Sequence, residues 1–451
     1  MIHMFKQNGL NIVLDTASGA IHNVDDAAYD AIHVYEHEGR DGAYRFVDEK
    51  YAELEQEEIE ELICEIDELK SSGKLFSDDI YSDVTDSVRN APLKALCMNV
   101  SHICNMKCSY CFAGSGEYGG DDGLMQLTTG MRAIDFLVEN SGSRRNLDVD
   151  FFGGEPLLNW DVVKGIVDYA RNIEELKGKT FRFTLTTNGL LIDDDVIDFA
   201  NKEIYNVVLS LDGRRDINDA SRKLPGGGGS YEYIVPKIKR FVEARSGEGY
   251  YIRGTYTRDN LDFVNDVLHI ADLGFTELSM EPVVAKPGAR YKLDMDDLPV
   301  LCGQYELLAD EMHRRKAEGK EFSFYHYKLD FLSGPCVYKR IAGCGAGTEY
   351  LAVTPGGCLY PCHQFVGNEK FLLGDLWSGI TNKKLQDEFM GNSMYSRQDC
   401  IDCWARMYCS GGCAANAYND TGSINGVYKF GCELFKKRIE CAIVLQIRNM
   451  E

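Results

Sequence analysis

No apolar run in this chain approaches the ~20 residues that a membrane-spanning helix needs. The start, Met1-Ile-His-Met-Phe-Lys-Gln-Asn-Gly, also lacks the apolar stretch of a secretory signal. The protein is therefore expected to be cytoplasmic, with no membrane partner. Basic residues are scarce, at 48 Lys and Arg against 71 Asp and Glu, for a formal charge of -23. Nucleic acids and anionic membranes both require a basic patch, so neither is an expected partner. The run Gly226 to Gly229 resembles a phosphate-binding loop, but the Lys-Ser/Thr that a P-loop demands does not follow it. It reads as a mobile βα loop. Cysteine is missing between Cys111 and Cys302 yet abundant elsewhere, with 16 in all. In a reducing compartment these read as metal ligands rather than disulfides. What remains is ordinary for a soluble globular protein: 44% hydrophobic and 26% charged residues, in 451 residues that make room for several domains.

The most informative stretch is Cys104-Asn-Met-Lys-Cys108-Ser-Tyr-Cys111. A structural zinc site needs four ligands, usually as two separated pairs. A ferredoxin-type run places its cysteines as C-x2-C-x2-C with a fourth elsewhere. The spacing here is C-x3-C-x2-C with no local fourth. Three thiolates can hold three corners of a 4Fe-4S cube and leave one iron open to a ligand. A partial zinc site is the alternative. The spacing resembles the signature of radical S-adenosylmethionine (SAM) enzymes, in which the amino and carboxylate groups of SAM chelate the open iron.

Upstream, residues 1 to 88 read as a unit of their own. Strand-like runs at His3 to Gln7, Leu10 to Leu14 and Ala20 to Val24 precede a helix over Ala27 to Glu38, capped by Asp25 or Asp26. A strongly periodic helix follows over Glu55 to Lys74, with Ile59, Leu62, Ile63, Ile66 and Leu69 on one face. Cys64 on this helix is expected to be buried. The unit resembles the winged-helix peptide-recognition domain of ribosomal-peptide maturation enzymes, which implies a leader peptide adding a strand near Ala20 to Val24. A structural cap without a ligand is the other reading. Ser77 to Asn90 is polar and acidic and reads as a linker.

From Pro92 the chain alternates strands and helices. Strand candidates are Leu93 to Val100, Leu147 to Phe152, Phe181 to Thr187, Val207 to Leu211, Ile252 to Thr257 and Glu277 to Val284. Helices are expected over Thr129 to Asn140, Val162 to Leu176 and Leu261 to Leu273. Repeated βα units imply a parallel sheet with helices outside. Six of them match the α/β, partial (β/α)6 barrel of radical SAM enzymes, here over residues 92–300, with 301–343 as a bridging region. Barrel chemistry sits at the C-terminal ends of strands, which is where Cys104 falls. By the same resemblance, Gly153-Gly154-Glu155 after the second strand contacts the SAM amino group, Ser210 and Arg222 hold its carboxylate, and Tyr110 lies beside its adenine. A surface ion pair is the plain alternative for Arg222, and ordinary packing for Tyr110.

The region 344–451 carries Cys344-x12-Gly357-x4-Cys362, then Cys400-x2-Cys403-x5-Cys409-x3-Cys413, and finally Cys432. This spacing matches the SPASM motif, an auxiliary-cluster domain of peptide-modifying radical SAM enzymes; a pair of zinc sites is the alternative. The resemblance implies three 4Fe-4S clusters in all. One auxiliary cluster uses Cys400, Cys403, Cys409 and Cys432. The other uses Cys344, Cys362 and Cys413, with its fourth position left to Cys336 or to a substrate cysteine. Cys358 is not expected to be a ligand, and Cys97, Cys302 and Cys441 read as buried thiols. Sulfatase-maturing relatives carry Asp where this chain has His363. The surrounding residues, Gly343 to Pro355 and Tyr360 to Val366, resemble the thioether-forming SCIFF maturases of six-cysteine peptides.

The expected function is therefore a radical SAM maturase that joins a cysteine sulfur to a carbon of another residue in a cysteine-rich precursor peptide bound through its leader. An external one-electron donor, a flavodoxin or ferredoxin, would reduce the Cys104, Cys108 and Cys111 cluster. The auxiliary clusters would serve as the electron sink. The alternatives are a carbon-carbon crosslinking enzyme, a formylglycine-type sulfatase maturase, and a multi-cluster electron carrier with no enzymatic role.

Overall fold

The computed structural model describes residues 1–82, 91–118, 123–285, 288–331, 341 and 343–450. Asn8 and Gly9 have φ values of 53° and 79°. A two-residue type I′ hairpin needs left-handed values at both positions, and Asn-Gly tolerates them. This turn joins β1 (Ile2–Gln7) to β2 (Leu10–Asp15), and β3 (Ile21–Val24) completes an antiparallel sheet in the order β1-β2-β3. Asp25 caps the next helix, Asp26–Lys50, by accepting the Ala28 N–H at 2.8 Å. That helix kinks at Gly39, where φ is 71°, so the helix expected over Ala27 to Glu38 is its first half. The periodic helix spans Gln56–Ser71 and buries Ile59, Ile63 and Ile66. Cys64 is exposed, contrary to expectation, because it falls one position past Ile63 on the flank turned to solvent.

Successive strand residues point to opposite faces, and β2 is buried on both. Val13 packs under the two helices. Ile12 and Leu14 pack on Met394, Tyr408, Ile439 and Ile443 of the C-terminal part. The beginning of the acidic linker is held as well: Asp79 accepts from Tyr395 Oη and Arg406 Nη2, each at 2.9 Å. Its remainder, 83–90, lies outside the described residues.

β4 (Ala95–Ser101) is buried along its whole length, as a parallel strand covered on both faces must be. The short β5 (Lys107–Cys108) follows, then β6 (Asn146–Gly153), β7 (Thr180–Thr187), β8 (Asn206–Ser210), the short β9 (Arg222–Lys223), β10 (Tyr250–Tyr256), β11 (Glu277–Pro282) and β12 (Ser323–Phe324). Among the described strands β5 and β9 form a two-stranded ribbon of their own. The rest form a parallel run in the order β4-β6-β7-β8-β10-β11-β12. Helices including Leu127–Asn140, Trp160–Lys177 and Phe263–Asp272 connect the strands. This is the α/β barrel-type arrangement read from the sequence.

The sheet does not stop at residue 344. β13 (Tyr350–Val353) pairs in parallel with the outer edge of β4, and β14 (Cys358–Tyr360), β15 (Gly374–Asp375) and β16 (Gly379–Ile380) continue it antiparallel. The long helix Leu298–Ala317 packs on Lys429–Arg448, where Arg438 donates to Tyr305 Oη at 2.6 Å. Among the described residues, no helix is long and apolar enough to cross a membrane.

Candidate active site

The loop that follows β4 carries Cys104, Cys108 and Cys111, and three strand ends fix its shape. Gly154 N–H donates to Ser101 O at 2.7 Å, and Glu155 N–H donates to Ile103 O at 2.9 Å. The loop lies so close that a Cβ at Gly153, where φ is 130°, would sit 2.2 Å from Ser101 O. At Gly154 it would sit 2.3 Å from Ile103 O. Both glycines are therefore dictated by backbone approach. Glu155 is 1% exposed. Its carboxylate accepts from Thr187 Oγ1 at 2.7 Å, Asn188 N–H at 2.8 Å and Leu157 N–H at 3.0 Å. The side chain thus ties the end of β6 to the end of β7. Asn188 completes the clamp through Asn105 Oδ1 at 2.7 Å.

Arg222 lies opposite Cys108 in the β5–β9 ribbon. Its Nε is 3.1 Å from Asp212 Oδ1, an ion pair whose angle misses hydrogen-bond geometry. Asp212, wholly buried, also accepts from Tyr110 Oη at 2.6 Å and Thr255 N–H at 3.0 Å. The guanidinium is 5.8 Å from the centroid of the Tyr110 ring. Tyr110, Arg222 and the cysteine loop are therefore locked together by Asp212, a residue that sequence reasoning passed over although it sits in the Leu211-Asp212-Gly213 strand end. Ser210 ends β8, half-buried, beside Arg253 in the register.

Burial pushes the Cys104 thiol up to about 12, with the charges of Glu155, Cys108 and Cys111 adding. Burial pushes Cys108 up to about 11, against the Arg222 charge. Burial likewise raises Glu155 to about 7, against its three hydrogen bonds.

The remaining cysteines fall into two groups. Cys362 is raised by burial and then by the neighbouring Cys413, Cys344 and Cys97. Burial raises Cys409 to about 12, and Cys432, Cys400 and Cys403 add to it. The latter four line one cavity of about 210 Å³. Ser410, Gly411 and Gly412, with φ of 61°, 84° and 78°, reverse the chain so that Cys409 and Cys413 serve different groups. Cys97 and Cys441 are buried, whereas Cys302 and Cys358 are half-buried. Cys336 lies outside the described residues.

A family model described as the radical SAM superfamily matches residues 98–265. The GTP 3′,8-cyclase of Clostridium perfringens (strain SM101 / Type A) is 31% identical over 316 residues, 67% of this chain and 90% of the cyclase. The chain belongs to the radical SAM superfamily. It is also similar to the radical SAM cyclopropyl synthase TigE of Paramaledivibacter caminithermalis, at 23% identity over 76% of this chain and 72% of TigE. A cysteine-type anaerobic sulfatase-maturating enzyme of Clostridium perfringens (strain 13 / Type A) is 25% identical over 71% of this chain and 89% of that enzyme. Among solved structures, native anSMEcpe with bound AdoMet superposes with a TM-score of 0.63 at 22% identity, over 79% of this chain and all of that one. Streptococcus suis SuiB bound to precursor peptide SuiA superposes with a TM-score of 0.54 at 17% identity, over 94% and 97% of the two chains. These likenesses show the shared radical SAM fold.

The residues present suit the groups the family implies. Cys104, Cys108 and Cys111 converge on one loop, and raised thiols are what a metal would deprotonate on binding. Arg222 is charged, buried and aimed at the same loop, as a carboxylate ligand requires. The radical SAM barrel also encloses a cavity of about 1350 Å³ toward the N-terminal ends of its strands, lined by Asp148, Asp150, Thr184, Cys344 and Tyr350 among others. The His363 ring stands between Phe112 and Phe152, with centroids 5.6 and 5.0 Å away. Burial pushes His363 down to about 4.

Proposed function

We propose that the protein is a radical SAM maturase that forms a thioether between a cysteine sulfur and a carbon of another residue in a ribosomally made precursor peptide. The observation that carries this reading is the exposed Cys344 thiol on the wall of the barrel cavity. It belongs to the Cys344, Cys362 and Cys413 group, whose fourth position is open to Cys336 or to a substrate cysteine. Support also comes from the names of the relatives, which include sulfatase-maturating enzymes and a precursor-peptide complex.

In this reading Cys104, Cys108 and Cys111 hold one 4Fe-4S cluster, and the two downstream groups hold the others. When bound, the first cluster and SAM together supply a radical able to abstract hydrogen from carbon. The chain's own residues then have distinct tasks. Arg222 binds the SAM carboxylate, and Asp212 fixes Arg222 and Tyr110. Gly153 and Gly154 let backbone carbonyls reach the SAM amino group, and Ser210 adds a hydroxyl at the end of β8. Glu155 keeps the loop closed. Among the described residues β3 pairs with β2 alone, and its outer edge would accept the leader as an added strand. A reduced flavodoxin or ferredoxin would be the electron donor. A sulfatase-type maturase is the second reading, favoured by the similarity to sulfatase-maturating enzymes; the absence of a carboxylate after Cys362 counts against it.

The test is co-expression with the short cysteine-rich reading frames beside the gene. A thioether product is lighter by a pair of hydrogens and resists thiol alkylation at the linked cysteine. A formylglycine product loses its sulfur instead. Replacing Cys104, Cys108 and Cys111 by Ala should abolish both the product and 5′-deoxyadenosine release while auxiliary iron remains. SAM cleavage that survives this change refutes the assignment.

A further inference from the structure

We infer that Asp150 is the proton acceptor for the substrate cysteine's thiol. The inference rests on the thioether reading. A thiol must lose its proton to bond to carbon, and the position after Cys362 offers no carboxylate. The other carboxylates near the barrel are committed elsewhere. Glu155 is held by Thr187, Asn188 and Leu157. Asp212 is held by Arg222, Tyr110 and Thr255. Glu281 faces His326 at 3.1 Å, with Arg253 and Arg438 at 3.6 and 3.8 Å. On the cavity wall, Asp148 pairs with Arg182 at 2.7 Å, Glu277 with Lys328 at 2.7 Å, and Glu349 with Arg144 at 2.5 Å. Glu248 is exposed at the rim. Asp150 has no cation within 4.0 Å among the described residues, and it still lines the cavity.

Its position suits the task. Side chains alternate along β6, so Asp150 lies on the same face as Phe152, one layer further from the cysteine loop. Opposite it on β4 is Cys97, and opposite it on β7 is Thr184. Thr184, opposite it in the register, favours its ionised form. Cys97 in turn meets the Tyr350 hydroxyl, and Tyr350 N–H donates to Gly345 O at 2.9 Å, next to Cys344. Asp150 and the exposed Cys344 thus line one cavity, which a peptide cysteine could enter. The charged and titratable groups around Asp150 are Asp148 on its own strand, Lys94 just before β4, Cys97 from β4, Arg182 from β7 and Tyr350 from β13. Burial pushes the Asp150 carboxyl up to about 6, Asp148 adds to this, and Thr184 and Lys94 oppose it. A base poised there is ionised at neutral pH and still able to take a proton.

The step balances. The hydrogen atom of the substrate C–H goes to the 5′-deoxyadenosyl radical, and the thiol proton goes to Asp150. The new bond joins sulfur to carbon, and the one remaining electron passes to an acceptor of the iron-sulfur class.

The experiment compares wild-type holoenzyme with Asp150→Asn and Asp150→Glu, using a cysteine-containing precursor peptide that the wild type converts to a thioether. Asp150→Asn should slow thioether formation about 10²-fold or more, while peptide-free cleavage of SAM under dithionite stays at the wild-type rate. The wild-type thioether rate should rise with pH through about 6. That limb should vanish in Asp150→Asn and return, displaced, in Asp150→Glu. In the cluster-free chain, infrared titration should show a carboxylic C=O band that fades near pH 6 and is missing from Asp150→Asn. An unchanged thioether rate or an unchanged pH limb in Asp150→Asn overturns the inference. So does an equal fall in SAM cleavage, which would make Asp150 structural. A wild type that makes no thioether overturns the functional reading, and this inference with it.

Discussion

Replacing Asp212 by Ala should do more local damage than any other single change near the cysteine loop. Three partners lose their acceptor at once. The Arg222 side chain, 10% exposed, keeps its charge without a counter-ion. The Thr255 N–H and the Tyr110 hydroxyl lose bonds of 3.0 and 2.6 Å. Breaking a buried ion pair by removing one member costs about 3–5 kcal/mol. Each donor left unpaired costs about 1–3 kcal/mol more, and the terms are not additive because the groups touch. A local loss of about 4 kcal/mol is a conservative total, equivalent to roughly a 10³-fold change in an equilibrium constant. Hydrogen exchange measures such local opening directly. The reporter is the Leu211 amide, which donates to Arg253 O at 3.1 Å beside the site without touching Asp212 itself. Its protection should fall by about that factor. Asp212→Asn keeps an acceptor oxygen and should fall less. Arg222→Met should cost less in the Asn background than in the wild type, because the charge it leaves behind has already gone. A change of less than about tenfold at Leu211 in Asp212→Ala would show that the ion pair does not hold these strand ends together.

Gly154→Ala should displace Ile103 and with it Cys104, since the new Cβ would lie 2.3 Å from a backbone oxygen. We expect lost 5′-deoxyadenosine release and less iron per chain, whereas Gly226→Ala, with nothing within 4 Å, should behave as wild type; equal activity in the two variants would refute the close-approach account. Trp404→Ala removes a ring stacked on His3 with centroids 3.6 Å apart, and exchange at the β1 amides should rise about fivefold for a loss of about 1 kcal/mol. Unchanged β1 exchange would mean that the N-terminal sheet is held by Ile12 and Leu14 alone.

Local patterns in the sequence translated well into local structure. The barrel strands appear within a few residues of their expected ends because their apolar runs are bounded by glycine, asparagine and aspartate turns. The C-x3-C-x2-C loop falls after the first of them for the same reason. What escaped was non-local. The pairing of β13 with β4 joins residues some 250 positions apart, and no periodicity encodes it. Asp212 was visible as a strand end, but its role depends on Arg222 and Tyr110 arriving from other elements. Asp150 was hidden within Leu147-Asp148-Val149-Asp150, a pattern that marks a strand with one polar face without saying that this face lines a cavity. Glu155 was visible as a charge at a strand end, but its hydrogen bonds to the end of β7 were not. Cys64 was misplaced by one helical position, which is enough to turn a side chain from core to solvent.

The shared sheet changes how the cysteine groups relate. Separation by more than 200 residues suggested independent domains, yet β4 has β6 on one side and β13 on the other. The Cys104 loop leaves the C-terminal end of β4. Cys344 precedes β13, which runs parallel to β4, so it lies toward the opposite end of the same strands. With seven residues in β4 and a rise of ~3.3 Å per residue, the two ends stand roughly 20 Å apart. Between them, Phe112, next to Cys111, approaches His363, next to Cys362, with ring centroids 5.6 Å apart. Iron-sulfur groups held at both ends would therefore be bridged by two aromatic rings fixed on one hydrogen-bonded sheet. A one-electron transfer between them would need no hinge motion. His363 packs between Phe112 and Phe152, and in the reading proposed above the carboxylate for proton transfer comes from the barrel wall at Asp150.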